Sequence, residues 1–313
     1  ILKSYMNQFE KLDRGFDLLQ ERLPRGFQTY LPIAPVLLLV GLFILYPIFR
    51  AITSSFTDKS LLNPQDATYI GFENYSQILT NSEIQMVLIN TLIWVSVGSA
   101  VAITLGFAMG WIMFEKLPYT ALASAIVLVP WILPRVVGAS IWKFMFSGSS
   151  GIINELLLQT GLIQEYQILL GNPDVSIWPP IVGMIWRLAP LFALLTLTSL
   201  KGIDSNLYEA SSIDGANPWE QFRFITLPSM KYNLAIGFLL MLIYNIRNFS
   251  MVWVMTSGGP GYSSTTLPIM IYRAAFIDFD VGFASALSVG LFVVLLIFSY
   301  YYVKTYDKIR EEF

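Results

Sequence analysis

The chain has 313 residues, of which 55% are hydrophobic and only 13% are charged, about half the charged fraction of an ordinary soluble domain. This composition predicts a membrane protein, and several charge-free runs exceed the roughly 20 residues that a membrane-spanning helix needs. Cysteine and histidine are absent, which excludes disulfides, thiolate metal sites and the commonest general base. A net charge of −2 without a basic block gives no support for nucleic-acid binding.

The apolar runs predict an all-α membrane protein with six spans. They lie at 30–54, 86–114, 119–146, 176–200, 229–256 and 282–304. Ahead of them, residues 1–28 carry apolar side chains every three or four positions, which predicts an amphipathic helix. It would lie on the inner membrane face or pack against other parts of a complex. Residues 29–313 are predicted to form one membrane domain.

The orientation follows from the distribution of lysine and arginine, which are enriched in cytoplasmic loops. On the side of the N-terminus the segments hold twelve of these residues, against three on the other side. Both termini are therefore predicted to face the cytoplasm, as is the segment at 201–228, which we call the polar insert. In the third span, Pro130, Pro134 and Gly138 predict a kink.

The polar insert carries the capping signals of two short helices. Asp204 or Ser205 can cap a helix that runs to about Asp214, and Gly215 supplies the left-handed position that commonly ends a helix. Asn217 then caps a second helix with Pro218 at its first position, and Glu220 is placed to complete a capping box. The sequence thus predicts a compact two-helix element.

The insert also resembles, nearly residue for residue, the EAA loop of binding-protein-dependent ABC importer permeases. Glu209, Ala210 and Gly215 match the signature, Asp214 precedes the glycine as is common there, and Ser211 stands where the family often has a second alanine. Further similarity to the maltose-type branch covers nearly all the membrane region. It includes Val129-Pro-Trp-Ile-Leu-Pro134, Thr256-Ser-Gly-Gly-Pro260 and Gly282-Phe-Ala-Ser-Ala286.

The resemblance implies the type I ABC importer permease fold in a prokaryotic inner membrane, with a coupling helix at about 204–221 that docks on an ATPase. It implies four kinds of partner: a second, homologous permease, two ATPase subunits, an extracytoplasmic solute-binding protein and a di- or oligosaccharide. The chain contains no phosphate-binding loop of the Gly-x-x-x-x-Gly-Lys-Ser/Thr type. We therefore expect no cofactor and no enzymatic activity in this chain, with ATP and Mg²⁺ bound by the ATPase.

A solute pathway is predicted from polar groups in the fourth and fifth spans. Tyr244, Asn245 and Asn248 would share one helical side, where a ring and two amides suit a sugar. Arg187 and Arg247 lie near the span centres, where a charge is costly and usually faces a cavity or a partner. The matching family positions on the fourth span are Met184, Arg187, Leu188 and Leu191. The alternative is that these polar groups bond neighbouring helices.

A sugar importer has three alternatives. The arginines could favour an anionic solute such as a glycerol phosphate. A secondary transporter working alone would need an acidic or broken-helix ion site, and the predicted span interiors contain no Asp or Glu. A membrane-embedded enzyme is disfavoured by the lack of His, Cys and clustered carboxylates in the spans.

Overall fold

A computed structural model describes residues 33–116 and 120–311. The predicted amphipathic segment at 1–28 lies outside the described residues. The chain divides after Ser54 into two compact units.

The first unit contributes one long apolar helix, α1 (Ala34–Ser54), which begins with a proline in its first turn. One turn, Gly41–Leu45, is widened to π-helical hydrogen bonding. Its side chains are mostly exposed, as expected for a helix whose natural surroundings are lipid. This helix confirms the first predicted span.

The second unit consists of helices in its described part, and its only extended pairings are two isolated bridges. In chain order the helices are α2 (Glu73–Thr80), α3 (Ser82–Lys116), α4 (Thr120–Val127), α5 (Val129–Ile132), α6 (Arg135–Met145), α7 (Ile152–Gln159), α8 (Trp178–Lys201), α9 (Ser205–Ile213), α10 (Pro218–Gln221), α11 (Leu227–Ile246), α12 (Ser250–Thr256), α13 (Leu267–Phe276) and α14 (Val281–Glu311). Together with α1, the segments around α3, α8, α11 and α14 give five helices long and apolar enough to cross a membrane. They match five of the six predicted spans.

The centre of the second unit is α8, in which 14 of 24 residues are buried. It packs along α3 because two glycines, four residues apart, remove the side chains that would separate the backbones. A Cβ added to Gly106 would lie 2.5 Å from the carbonyl oxygen of Ala189. One added to Gly110 would lie 2.5 Å from that of Ala193. The two helices are thus in backbone contact at two successive turns of α3.

The predicted third span is not a continuous helix. It is broken into α4, α5 and α6, so a sixth uninterrupted span is not confirmed among the described residues. The reason is chemical: Pro134 has no N–H to donate to the carbonyl of Pro130, and it disfavours helical geometry in Leu133. Leu133 accordingly has φ −55° and ψ 141°, and Pro134 φ −52° and ψ 135°. The predicted kink is confirmed at Pro134, whereas Gly138 lies buried inside α6.

The predicted fifth span is also interrupted. The helix α11 ends at Ile246, and α12 begins at Ser250 after a three-residue break.

The loop between α12 and α13 is fixed to α3 by side-chain hydrogen bonds. The amide of Asn90 donates to the carbonyls of Tyr262, Ser263 and Thr265 at 2.9 to 3.3 Å.

Candidate docking surface and polar sites

The polar insert folds as its capping residues predict. The carboxylate of Asp204 accepts a hydrogen bond from the backbone N–H of Asn206 at 2.9 Å, which starts α9. Gly215 has φ +81° and ends it. The side chain of Asn217 accepts from the N–H groups of Trp219 and Glu220, both at 3.0 Å, and Glu220 accepts from the N–H of Asn217 at 2.8 Å. The predicted capping box is confirmed.

Side-chain hydrogen bonds lock the two short helices of the insert together. The amide of Gln221 donates to the hydroxyls of Ser211 and Ser212, at 3.1 and 2.9 Å. The hydroxyls of Tyr208 and Thr226 lie 2.8 Å apart, and Thr226 is buried. Ser211, the departure from the family's alanine, therefore has a structural role here. The insert is a rigid body.

The outer surface of the insert combines acidic and apolar groups. Glu209, Ala210, Asp214 and Gly215 are all exposed. Beside them are large apolar side chains that a soluble surface would not normally present together. They are Leu207, Ile213 and Trp219, at 48%, 87% and 64% exposure. Such a surface suits a protein partner with an apolar cleft and a basic rim.

Asn245 makes polar contacts between two helices of the bundle and is fully buried. Its amide nitrogen donates to the hydroxyl of Ser99 at 2.9 Å and to the carbonyl of Trp94 at 3.1 Å. The indole of Trp94 in turn donates to the carbonyl of Asn245 at 3.0 Å. These bonds connect α11 to α3. They are the contacts expected under the alternative that the polar groups bond neighbouring helices. The side-chain oxygen of Asn245 has no partner among the described residues.

Arg187 points its guanidinium at the break in the predicted third span. It donates to the carbonyls of Leu133 at 2.7 Å, Trp131 at 3.1 Å and Pro130 at 3.4 Å. A guanidinium presents several donors in a fixed fork, so it can satisfy several carbonyls that the proline leaves without helical partners. The described contacts of Arg187 are therefore structural.

The other predicted pathway residues separate into two groups. Met184 and Leu188 are buried, Met184 against Gly98 of α3, and Leu191 is half-buried. Tyr244 is 40% exposed and Arg247 is exposed. The solute contacts of all these residues stay a prediction.

The prediction that Tyr244 and Asn248 share one helical side was wrong. Tyr244 is exposed, whereas Asn248 is buried and accepts a long, 3.4 Å hydrogen bond from the N–H of Met251. The physical reason is that α11 ends at Ile246, between the two residues, so the four-residue spacing no longer applies.

Two residues of α3 that bond Asn245, Trp94 and Ser99, were not predicted from the sequence. The contact of Gly106 and Gly110 with α8 was not predicted either, although the Gly-x-x-x-Gly spacing of that pair is a known helix-packing signal.

An apolar crevice of about 480 Å³ lies between α3, α11 and α14. Among the described residues that line it, only Thr91 is polar, and the hydroxyl of Thr91 is already engaged by the carbonyl of Val87 and the N–H of Leu267. A sugar needs partners for many hydroxyls, so this crevice does not suit one.

A bundle of apolar helices with buried polar contacts at mid-depth and a capped, exposed insert between two spans defines a multi-pass membrane protein of the transporter type. Residues 102–306 match the family profile of the binding-protein-dependent transport system inner membrane component. This chain belongs to that family.

The curated relatives are of nearly the same length. The trehalose/maltose transport system permease protein MalF of Thermococcus litoralis is 31% identical over 275 residues, covering 88% of this chain and 92% of that protein. The sulfoquinovosyl glycerol transport system permease protein SmoG of Agrobacterium fabrum is 30% identical over 282 residues, covering 87% and 88%.

Solved structures agree on the fold. A chain of a bacterial ABC transporter that imports the acidic polysaccharide alginate superposes with a TM-score of 0.76 at 21% identity, covering 93% of this chain and 99% of that one. The same type of transporter, in complex with a periplasmic protein bound to an alginate pentasaccharide, gives a TM-score of 0.73 at 21% identity, covering 89% and 93%. The chain has the type I ABC importer permease fold.

Proposed function

We propose that this chain is the permease subunit of an ATP-driven importer of di- or oligosaccharides. Family membership and the sugar permeases among its relatives support this function. The observation that carries the coupling role is the exposed, internally bonded insert at 201–228. Glu209, Ala210 and the turn at Gly215 form its outward face.

In this proposal the insert lies on the cytoplasmic side, and both termini do as well. Two ATPase subunits bind ATP and Mg²⁺, and each receives the insert of one of two homologous permeases. Glu209 and Asp214 meet basic groups of the ATPase, while Ile213 enters an apolar cleft. An extracytoplasmic solute-binding protein delivers the sugar to the opposite end.

Transport then follows alternating access. Closure of the ATPase dimer on ATP displaces the docked inserts, and the spans change from an inward-open to an outward-facing arrangement that accepts solute. Such a switch requires a ligand that binds the two states with different affinity, and ATP supplies this difference. In this proposal the solute passes residues of two helices. These are Tyr244, Asn245, Arg247 and Asn248 in the fifth span and Met184, Arg187, Leu188 and Leu191 in α8.

Reconstitution into lipid vesicles tests this function. The permease pair is assembled with and without its ATPase, and uptake of labelled maltose and trehalose is measured with ATP present. We expect uptake only from the complete assembly. Uptake that persists without the ATPase would contradict the importer and favour a secondary transporter.

A second candidate is a solute that carries an acidic group. Three arginines, Arg135, Arg187 and Arg247, lie within the predicted third, fourth and fifth spans, and these spans contain no Asp or Glu. An unbalanced positive charge in a membrane is costly, and an anionic solute would offset it. Stimulation of the ATPase by neutral sugars, compared with sulfonated, carboxylated or phosphorylated ones, separates the two candidates.

A further inference from the structure

Four aromatic rings connect the polar insert to the membrane bundle. Two belong to the insert side, Trp219 and Phe222, and two to α3, Phe107 and Trp111. The ring centroids of Phe222 and Trp111 are 5.3 Å apart in an edge-to-face arrangement. Phe222 also meets Phe107 edge-on at 6.4 Å, and Trp219 stacks on Phe222 at 5.5 Å. We call these four residues the aromatic joint.

The aromatic joint contacts α3 at the turns where the backbone of α3 touches that of α8. Phe107 and Trp111 each follow one of the glycines, Gly106 and Gly110, whose backbones contact α8. The backbones of α3 and α8 touch at these turns, so no side chain between them can rearrange to absorb a displacement of α3. The two helices must move as one body.

The same body carries groups at the middle of the membrane. These groups precede Phe107 on α3 by more than two helical turns. Gly98 contacts Met184 of α8, and Trp94 and Ser99 bond Asn245 of α11. A displacement of the insert would therefore be transmitted through α3 to the polar residues of the predicted solute pathway.

We propose that the contacts of Phe222 with Trp111 and Phe107 transmit the movement of the docked insert to the α3–α8 pair. The proposal rests on the proposed function, because it assumes that an ATPase moves the insert. Phe222 and Trp111 are positioning residues: they contact neither solute nor ATP. Without the contacts of Phe222 with Trp111 and Phe107 the insert would still dock, since its exposed outer surface and its capping and cross-bonding residues are elsewhere.

The test uses the assembled transporter and the substitution Phe222→Leu, which keeps an apolar side chain but removes the ring. The matched control is Phe224→Leu, the same change two residues away at a ring that is 68% exposed and lies against the guanidinium of Arg223. Movement of α3 is read from a fluorescent label on Ser96→Cys, an exposed position on that helix, and the natural chain has no cysteine to interfere. The probe is ATP with Mg²⁺ and vanadate, so the solute need not be known.

We expect the ATP-dependent change of the label to fall by about three- to tenfold in Phe222→Leu, with ATPase binding unchanged, and to stay at the unsubstituted level in Phe224→Leu. Trp111→Leu should give the same loss, the double variant no larger a loss, and Trp111→Phe a partial recovery. If Phe222→Leu does not fold, the two Trp111 variants make the same comparison.

An unchanged label response in Phe222→Leu and Trp111→Leu would overturn the joint while leaving the proposed function intact. Loss of ATPase binding in Phe222→Leu would also overturn it, since Phe222 would then belong to the docking surface. Failure of the unsubstituted permease to bind an ATPase would contradict the proposed function itself.

Discussion

The guanidinium of Arg187 donates a 2.7 Å hydrogen bond to the backbone carbonyl of Leu133, the residue at which the predicted third span breaks. Arg187→Met would leave this carbonyl and that of Trp131 without their donor. We expect a loss of roughly 2 kcal/mol or more in the free energy of unfolding, because each unsatisfied buried polar group costs about 1–3 kcal/mol. Thermal unfolding in detergent measures it.

Arg247→Met is the matched control, since Arg247 is exposed. It should leave the unfolding temperature unchanged. Arg187→Lys should fall between the two, because an ammonium cannot donate in the fork geometry of a guanidinium. Equal stability of Arg187→Met and Arg247→Met would refute the structural role of Arg187.

The contact of α3 with α8 predicts a second pair of variants. In Gly106→Ala the new methyl group would meet the carbonyl of Ala189 and the side chain of Phe192. We expect a loss of about 1–3 kcal/mol in stability, the usual cost of overpacking. Gly290→Ala places the same methyl group in open space on α14 and should be tolerated. The comparison is made by unfolding both proteins under identical detergent conditions.

Much of this fold could be predicted from local patterns. Five spans follow from apolar runs, and the shape of the insert follows from Asp204, Gly215 and Asn217, because caps act on backbone groups within a few residues. The third span was harder: hydropathy does not register that Pro134 removes a backbone donor. The break could be suspected from the two prolines, but not the donor that replaces the lost hydrogen bonds.

The candidate pathway shows where sequence reasoning ends. Asn245 could be identified as a polar group in a membrane span, yet its bonds to Trp94 and Ser99 join residues about 150 positions apart. No periodicity within one helix specifies such a partner. Likewise, the exposure of Tyr244 and the burial of Asn248 depend on the end of α11 at Ile246, which the apolar run conceals.

Gly215 gives a prediction for docking. Gly215→Val forces a branched side chain into a positive φ, at a local cost of about 1–2 kcal/mol, although space around it is open. The turn should deform, and ATPase binding should weaken by about tenfold. Gly161→Val imposes similar strain at φ +74° in a different loop and should leave binding unchanged. Pull-down of the ATPase with each variant decides; equal capture would argue against docking by the insert.

Tyr244 and Asn245 distinguish a pathway role from helix bonding. Tyr244→Leu should reduce solute uptake by several-fold with little change in thermal stability, because the ring is 40% exposed. Asn245→Ala should reduce both, with a stability loss of about 1–3 kcal/mol from the broken bonds to α3. Phe238→Leu, at a ring of similar exposure on the same helix, is the control. Unaltered uptake in Tyr244→Leu would leave the ring outside the pathway.

The π-helical turn at Phe222–Thr226 sets how far the insert is rotated about the helix axis relative to α11. There the N–H of Leu227 bonds to the carbonyl of Phe222, five residues back, so the helix holds one more residue than regular α-helical winding would place in this turn. One residue corresponds to about 100° of rotation. Deleting one residue from this turn would rotate the exposed face that carries Ile213 and Trp219 by about 100° relative to the buried side of α11. The number of residues in this stretch is therefore as constrained as their chemistry.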